Sequence, residues 1–245
     1  MKKQKTTVSF DQNTASDYDG QREKLSPIKD ALHLCTRMLF SNLPSDANAL
    51  IVGAGTGSEL IYLAQTFPQW SFTVVEPATE MLDNCKKRSE KDGILSRCFF
   101  HGGYLDSLPE SRGFDLATSI LVSHFFVNPG ERGSYFSEIA SRLRLGAYLV
   151  EASLASDMTK PEFKDMLEIW INMHDYAGMP VNTESFGKKV AMIPIEEVES
   201  IIELSGFNKP VLFFKSLFIN AWFSKVVTSD KNPNKTLQPT QKPRG

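Results

Sequence analysis

Three glycines and one glutamate have the residue types and the spacing of a ribose-binding site. Gly53, Gly55 and Gly57 alternate with small residues, between an apolar strand pattern and a helix pattern. Glycines in such a place let the backbone turn tightly and approach a ligand, and the N–H groups of the helix start face that ligand. Glu76 closes the next strand pattern, where a carboxylate can accept hydrogen bonds from both ribose hydroxyls. The pair predicts a site for a ribose-containing cofactor, against the alternative of a plain strand–helix turn.

The spacing of the glycines separates two classes of cofactor. In the dinucleotide-binding fingerprint the third glycine comes three residues after the second. Here Gly57 comes two residues after Gly55. This spacing disfavours an NAD-dependent dehydrogenase.

Two segments resemble motifs of the class I S-adenosylmethionine (SAM)-dependent methyltransferases, over roughly residues 45–223. The run 51–57 is similar to the family's first motif, and Val75-Glu76-Pro77 is similar to the second. The resemblance implies an α/β fold: a Rossmann-like, seven-stranded, mostly parallel sheet with an antiparallel last strand and helices on both faces. It implies SAM as cofactor and S-adenosylhomocysteine (SAH) as product. The cofactor contacts it implies are Gly53, Ala54, Gly55, Gly57, Glu76, Pro77, Met81, Tyr104, Leu105, Ile120 and Leu121.

The adenine end of the predicted site departs from the family pattern. Family members often carry an Asp after the third strand that binds the adenine amino group, and Tyr104 stands in that place here. The resemblance implies that Met81 packs on adenine. The remaining contact is expected from the backbone of Tyr104 and Leu105 or from stacking on the tyrosine ring, with a plain core aromatic as the alternative.

Five further residues are candidates for contact with the acceptor substrate. His124 follows the fourth strand and has an unperturbed pKa near neutrality, so it is the one candidate for a general base, with a pocket-shaping role as the alternative. Tyr18 and Arg22 lie on a polar N-terminal arm that could close on a carboxylate. His174 and Tyr176 follow an amphipathic helix pattern. Scattered histidines without metal-ligand spacing predict no metal site.

Strand and helix patterns alternate along most of the chain, which predicts a parallel sheet covered on both faces. We expect strands over 49–53, 71–76, 97–101, 114–122 and 147–153, and helices over 26–41, 58–67, 77–92, 131–143, 162–173 and 194–204. Two apolar strands, 211–214 and 217–223, are split by Lys215-Ser216 and predict an antiparallel hairpin. Leu143–Ala147 resembles the family's turn before the fifth strand.

The domain organisation follows from these patterns and from composition. Residues 1–44 are expected to form an arm and a helix, and residues 45–227 a SAM-binding domain. Residues 154–190 break the alternation and read as a lid-like insertion over the site. Residues 228–245 are rich in Pro, Lys, Asn and Gln and predict a disordered tail.

Bulk properties exclude several classes of protein. A net charge of −2 gives no electrostatic case for general nucleic-acid binding, although an RNA substrate stays open as an alternative. Three cysteines without CxxC spacing indicate neither a disulfide framework nor a zinc site. The start of the sequence has no apolar run for a signal peptide, and no stretch is long enough to cross a membrane. We expect a soluble cytoplasmic protein, with a homodimer left open.

Together these features predict a SAM-dependent methyltransferase acting on a small-molecule acceptor. A second hypothesis keeps the cofactor and changes the reaction. Asn172-Met173-His174-Asp175 and Gly178 resemble carboxy-SAM synthase, a tRNA-modification enzyme that alters SAM itself and needs a cationic pocket, to which Lys188 and Lys189 could contribute. A third hypothesis is a non-catalytic SAM-binding protein.

Overall fold

A computed structural model describes residues 23–227 of the chain, and Tyr18, Arg22 and the predicted tail lie outside this range. Within it, seven strands and six α-helices alternate in the predicted order. The strands are β1 (Asn48–Val52), β2 (Ser71–Val75), β3 (Cys98–His101), β4 (Phe114–Ile120), β5 (Leu143–Leu154), β6 (Val211–Ser216) and β7 (Ile219–Lys225). The helices are α1 (Ser26–Phe40), α2 (Ser58–Thr66), α3 (Thr79–Lys91), α4 (Pro129–Arg142), α5 (Glu162–Ala177) and α6 (Ile195–Leu204).

The seven strands form one sheet in the order β3-β2-β1-β4-β5-β7-β6. β1 to β5 run parallel to one another, and β7 runs antiparallel to both β5 and β6. Leu154 at the end of β5 lies opposite Ile219 at the start of β7. The predicted α/β sheet with an antiparallel last strand is confirmed.

Two apolar clusters cover the two faces of the sheet. On one face, α1, α2 and α3 contribute Phe40, Leu60 and Cys85 to a cluster with alternate residues of the central strands. On the other face, α4 and α6 contribute Phe136 and Ile202. A parallel sheet buried on both sides explains why its strands read as apolar runs in the sequence. No helix within residues 23–227 combines the length and apolar character needed to cross a membrane.

The strand order reverses between β1 and β4, which opens a crevice at their carboxyl ends. In open α/β sheets this reversal is where ligands bind. The loop after β1 carries the three glycines, and the loop after β4 carries Leu121 to His124. These two loops touch, since a Cβ on Gly53 would lie 2.3 Å from Val122 Cγ2.

Residues 155–193, called the cap below, connect β5 to α6 and contain α5. The cap has an apolar cluster of its own, centred on the fully buried Phe218 of the β6–β7 turn. The Phe218 ring lies 5.3 Å from that of Phe163 and 5.5 Å from that of Trp170. Leu121 and Leu154 pack against the same cluster. The cap is therefore seated at the carboxyl ends of β4 and β5.

Three details of the predicted elements differ from the structure. α3 begins at Thr79 instead of Pro77. The β6–β7 turn lies at Leu217-Phe218, where Leu217 takes a φ of 53°, and both Lys215 and Ser216 pair within β6. Gly146 lies inside β5, at an irregularity of the β4–β5 register, so the turn expected before the fifth strand is part of the strand.

Candidate active site

The glycine loop is fixed at both ends and open in the middle. All three glycines have positive φ: 76° at Gly53, 54° at Gly55 and 85° at Gly57. A Cβ on Gly53 would meet Val122, and a Cβ on Gly57 would lie 2.5 Å from Cys85 Sγ. A Cβ on Gly55 would meet no atom within 4 Å. The loop therefore presents bare backbone on its open side, as the close approach of a ligand requires.

The Glu76 carboxylate lies at the end of β2 and is tied to the glycine loop. Its Oε2 accepts the N–H of Gly55 at 2.8 Å, and its Oε1 accepts the N–H of Ala78 at 2.9 Å. Burial raises the pKa of Glu76, and these two hydrogen bonds act in the opposite direction. Each oxygen keeps lone-pair capacity beyond its one backbone donor. A carboxylate so placed beside open backbone fits the ribose diol of an adenosyl cofactor.

A clamp on the other side of the loop was not anticipated from the sequence. Arg88 Nη1 of α3 donates to Thr56 O at 3.2 Å and to Thr56 Oγ1 at 3.1 Å, and it lies 3.4 Å from Ser58 Oγ. The guanidinium thus joins α3 to the start of α2. Exposed arginines on helices are common, so the sequence holds no signal that singles out Arg88.

The expected adenine end contains apolar side chains and a small polar cluster. Met81 and Leu105 are buried, and Tyr104 is half-buried. Ser107 Oγ donates to Tyr104 O at 2.7 Å and lies 2.9 Å from His101 Nε2. Sequence reasoning gave neither His101 nor Ser107 a role here. The cluster fixes the backbone of Tyr104, which is the residue that replaces the family's Asp.

The loop after β4 begins with a strained residue. Leu121 takes a φ of 60°, a left-handed conformation that is costly for a residue with a branched side chain, and its N–H donates to Ala152 O at 2.6 Å. Val122 then packs on Gly53. Ile120 and Leu121, which the resemblance places beside the methionine end of the cofactor, are both half-buried at this edge.

His124 is buried, with 4% of its surface exposed, and it joins β4 to the cap. Its Nδ1 accepts the N–H of Leu154 at 3.4 Å, and its carbonyl accepts the N–H of Ala191 at 2.7 Å. A neutral imidazole that accepts at Nδ1 carries its proton on Nε2. This geometry favours the pocket-shaping alternative over a general base.

His174 and Tyr176, the two candidates on α5, lie in the last turn of that helix. His174 Nδ1 pairs with Trp170 O at 2.9 Å, within the same helix. Tyr176 is 69% exposed, and its carbonyl accepts from Lys24 Nζ at 3.0 Å. Lys24 Nζ also lies 5.2 Å from the centre of the Tyr176 ring. The N-terminal turn therefore enters the described structure beside the end of α5.

Comparison with known proteins agrees with this geometry. A sequence model for a methyltransferase domain matches residues 49–146, which contain both the glycine loop and Glu76. The chain is 23% identical over 223 residues to carboxy-S-adenosyl-L-methionine synthase of Campylobacter jejuni. That alignment covers 86% of this chain and 91% of the relative.

Solved structures share the fold at lower sequence identity. The 1,6-didemethyltoxoflavin-N1-methyltransferase of Burkholderia thailandensis, solved with S-adenosylhomocysteine, superposes with a TM-score of 0.62 at 16% identity, over 88% of this chain and 86% of that one. A putative O-methyltransferase of Nostoc punctiforme superposes with a TM-score of 0.63 at 16% identity, over 82% of this chain. This chain spans only 57% of the Nostoc protein. Residues 49–146 are thus similar to a methyltransferase domain, and the described chain shares its fold with solved methyltransferases.

Proposed function

We propose that the chain binds SAM in the β1–β4 crevice and transfers its methyl group to a small-molecule acceptor beneath the cap. The observation that carries the proposal is the hydrogen bond from Gly55 to Glu76, which fixes a carboxylate beside an open stretch of backbone. Bound SAM would supply an activated methyl group on a sulfonium. Glu76 would hold the ribose, Met81 and the backbone of Tyr104-Leu105 the adenine, and the loop after β4 the methionine end.

Methyl transfer of this kind asks the protein mainly to align two reactants and exclude water. The apolar cluster of the cap and Leu121 supply a dry wall at the carboxyl ends of the strands. A dedicated base is needed only if the acceptor atom is protonated at the working pH. The geometry of His124, which favours a pocket-shaping role, is therefore compatible with the reaction.

The same apolar wall favours a small organic acceptor. Phe163, Trp170 and Phe218 form an apolar cluster over the crevice, which suits a compact organic molecule better than a phosphate backbone. With a net charge of −2, the chain also lacks the basic excess typical of RNA-binding domains. A small molecule is accordingly preferred over RNA, and no membrane contact is part of the proposal.

A second candidate is conversion of SAM to a carboxylated SAM, in which a carboxylate supplied by a carboxyl-donating co-substrate replaces one hydrogen of the SAM methyl group. It is favoured by the likeness to the Campylobacter jejuni synthase, which extends over 86% of this chain, well beyond the matched domain. The lysines considered for a cationic pocket, Lys188 and Lys189, have exposed side chains after the turn at Ser185. Because both side chains are exposed, they do not form a buried pocket for a carboxylate, and this candidate ranks second.

Mass spectrometry of the small molecules released from purified protein tests both candidates. SAM or SAH in the released fraction supports the methyl-transfer proposal, and a species heavier than SAM by the mass of one CO2 unit supports the second candidate. Release of a dinucleotide such as NADH would contradict both. If SAM is bound but SAH never accumulates with any acceptor in a small-molecule panel, a non-catalytic SAM-binding role is supported instead.

A further inference from the structure

A charged pair that the proposed reaction does not use lies between α4 and the carboxyl halves of β4 and β5. Arg132 and Glu151 have 0% and 1% of their side chains exposed, and Arg132 Nη2 lies 4.0 Å from Glu151 Oε1. Burying two charges costs several kcal/mol per ion, and their attraction offsets this only when further hydrogen bonds satisfy the remaining polar atoms. Such a pair is weak evidence for stability alone, so a positional role has to be considered.

Two serines from different elements bond to the pair, while Arg132 Nε, Arg132 Nη1 and Glu151 Oε2 are buried without a hydrogen-bond partner among the described residues. Arg132 Nη2 donates to Ser123 Oγ at 2.7 Å and to Ser153 Oγ at 2.8 Å, and the Ser123 hydroxyl donates to Glu151 Oε1. Ser153 belongs to β5, whereas Ser123 belongs to the loop after β4. Both serines are fully buried. Ser123 joins the charged pair to the segment that follows β4.

The segment around Ser123 is the wall shared by the cofactor crevice and the cap. Two residues before it, Leu121 is strained at a φ of 60°. The preceding Val122 packs on Gly53, and the following His124 holds Ala191 of the cap through its carbonyl. A strained backbone persists only when its surroundings over-determine it. The Ser123 hydroxyl makes two charge-assisted hydrogen bonds, which tie this segment to α4 and β5.

The first turn of α4 places the arginine. Asn128 caps the helix, with its Oδ1 accepting the N–H groups of Gly130 and Glu131, and Pro129 occupies the first turn. The N–H of Arg132 donates to Asn128 O at 3.0 Å. The Asn128 N-cap and Pro129 fix where α4 begins, and hence where the Arg132 guanidinium lies against the sheet.

We infer that Arg132 and Glu151 are positioning residues that act through Ser123 to hold the loop after β4 in its strained, ligand-ready shape. The inference rests on the proposed function, because it assigns that loop to the wall of the SAM site. It predicts that cutting the Ser123 link loosens the loop and weakens cofactor binding, while cutting the Ser153 link to the same Nη2 atom does neither.

Ser123→Ala and Ser153→Ala are a matched pair for the test, since each removes one hydroxyl of equal burial bonded to the same nitrogen. Amide hydrogen exchange of the ligand-free protein measures directly how often the loop after β4 opens. In Ser123→Ala, the Leu121 and Ala191 amides should exchange about tenfold faster, as expected for loss of charge-assisted restraints, and in Ser153→Ala they should not change. If Ser123→Ala does not fold, Ser123→Cys replaces it, because sulfur fills the space and is a weak hydrogen-bond partner.

Calorimetric titration with SAH then links the loop to the site. The dissociation constant should rise about tenfold in Ser123→Ala and stay near the parent value in Ser153→Ala. Glu151→Gln should weaken binding in the parent but add little in the Ser123→Ala background, because the pair acts through that hydroxyl. Equal exchange rates in the two serine variants would overturn the inference whether or not SAH binds. Absence of SAH binding by the parent protein, with the exchange difference present, would instead count against the proposed function.

Discussion

Gly55 donates its backbone N–H to the Glu76 carboxylate at 2.8 Å, across 21 residues of sequence. The two motifs that were recognised separately in the sequence are therefore one physical site, in which the acid orders the loop and the loop places the acid.

Replacing Glu76 with Ala should weaken SAM and SAH binding by roughly tenfold or more, because hydrogen bonds to a charged group contribute about 1.5–3 kcal/mol. Isothermal titration calorimetry of the purified variant with SAH measures the change. Glu90→Ala, which removes an exposed carboxylate at the far end of α3, is the control and should bind like the parent. Unchanged affinity in Glu76→Ala would refute the assigned ribose contact.

Gly55→Ala should damage binding more than stability. A methyl group there meets no protein atom within 4 Å. The free energy of unfolding should therefore fall only by the cost of a left-handed backbone at alanine, about 1–2 kcal/mol. Gly93→Ala is a matched control, with a φ of 69° and equally open surroundings after α3. Thermal unfolding should shift by a similar amount in both variants, whereas SAH affinity should fall only in Gly55→Ala. Equal SAH affinity in the two variants would show that no ligand approaches Gly55.

Glu59 should make the protein less stable as the pH rises towards neutrality. Burial behind the glycine loop raises the pKa of this carboxyl to about 7, against 4.5 unfolded. The folded state then binds more protons than the unfolded state between these values, so the free energy of unfolding falls as the pH rises from 4.5 through 7, by up to about 3 kcal/mol. Urea unfolding across this range should show the slope in the parent and lose it in Glu59→Gln. A variant with the parent's slope, or one that is less stable at pH 8, contradicts this account of Glu59.

His33 should act in the opposite pH direction. Burial in α1, with help from Lys29, lowers its pKa to about 4 from 6.5, while Asp30 opposes the shift. The unfolded state binds the proton more readily between pH 6.5 and 4, so acidification through that window should cost up to about 3 kcal/mol of stability. His33→Gln should flatten the acid limb of the unfolding curve, and His101→Gln, at a partly exposed histidine, serves as the control. An acid limb equally steep in His33→Gln would assign the loss of stability to other groups.

The parts of the fold that local pattern determines were predictable. The glycine loop and Glu76 meet because a strand–helix–strand unit brings the ends of neighbouring parallel strands together, whatever the residues between them. The β6–β7 hairpin was expected from two apolar runs, but its turn was placed at Lys215-Ser216. Leu217 takes the positive φ there instead of a glycine or asparagine, so the usual turn signal is missing.

The polar networks were not predictable, because each joins side chains from elements distant in the sequence. Arg88 reaches the glycine loop from α3, and Arg132 meets Glu151 between α4 and β5. Hydrophobic periodicity indicates which face of an element is buried, but it does not indicate which charged side chain lies on the element packed against that face. The identity of the acceptor could not be predicted for the same reason, because the relative positions of the cap side chains are defined only in the folded chain.

Parallel calorimetric titrations of the parent protein with SAM, SAH and NADH test the central claim most directly. We expect saturable one-site binding of SAM and SAH and far weaker binding of NADH, because the glycine spacing and the Glu76 carboxylate suit an adenosyl group and do not match the dinucleotide-binding fingerprint. Binding of NADH more tightly than SAM would contradict this claim.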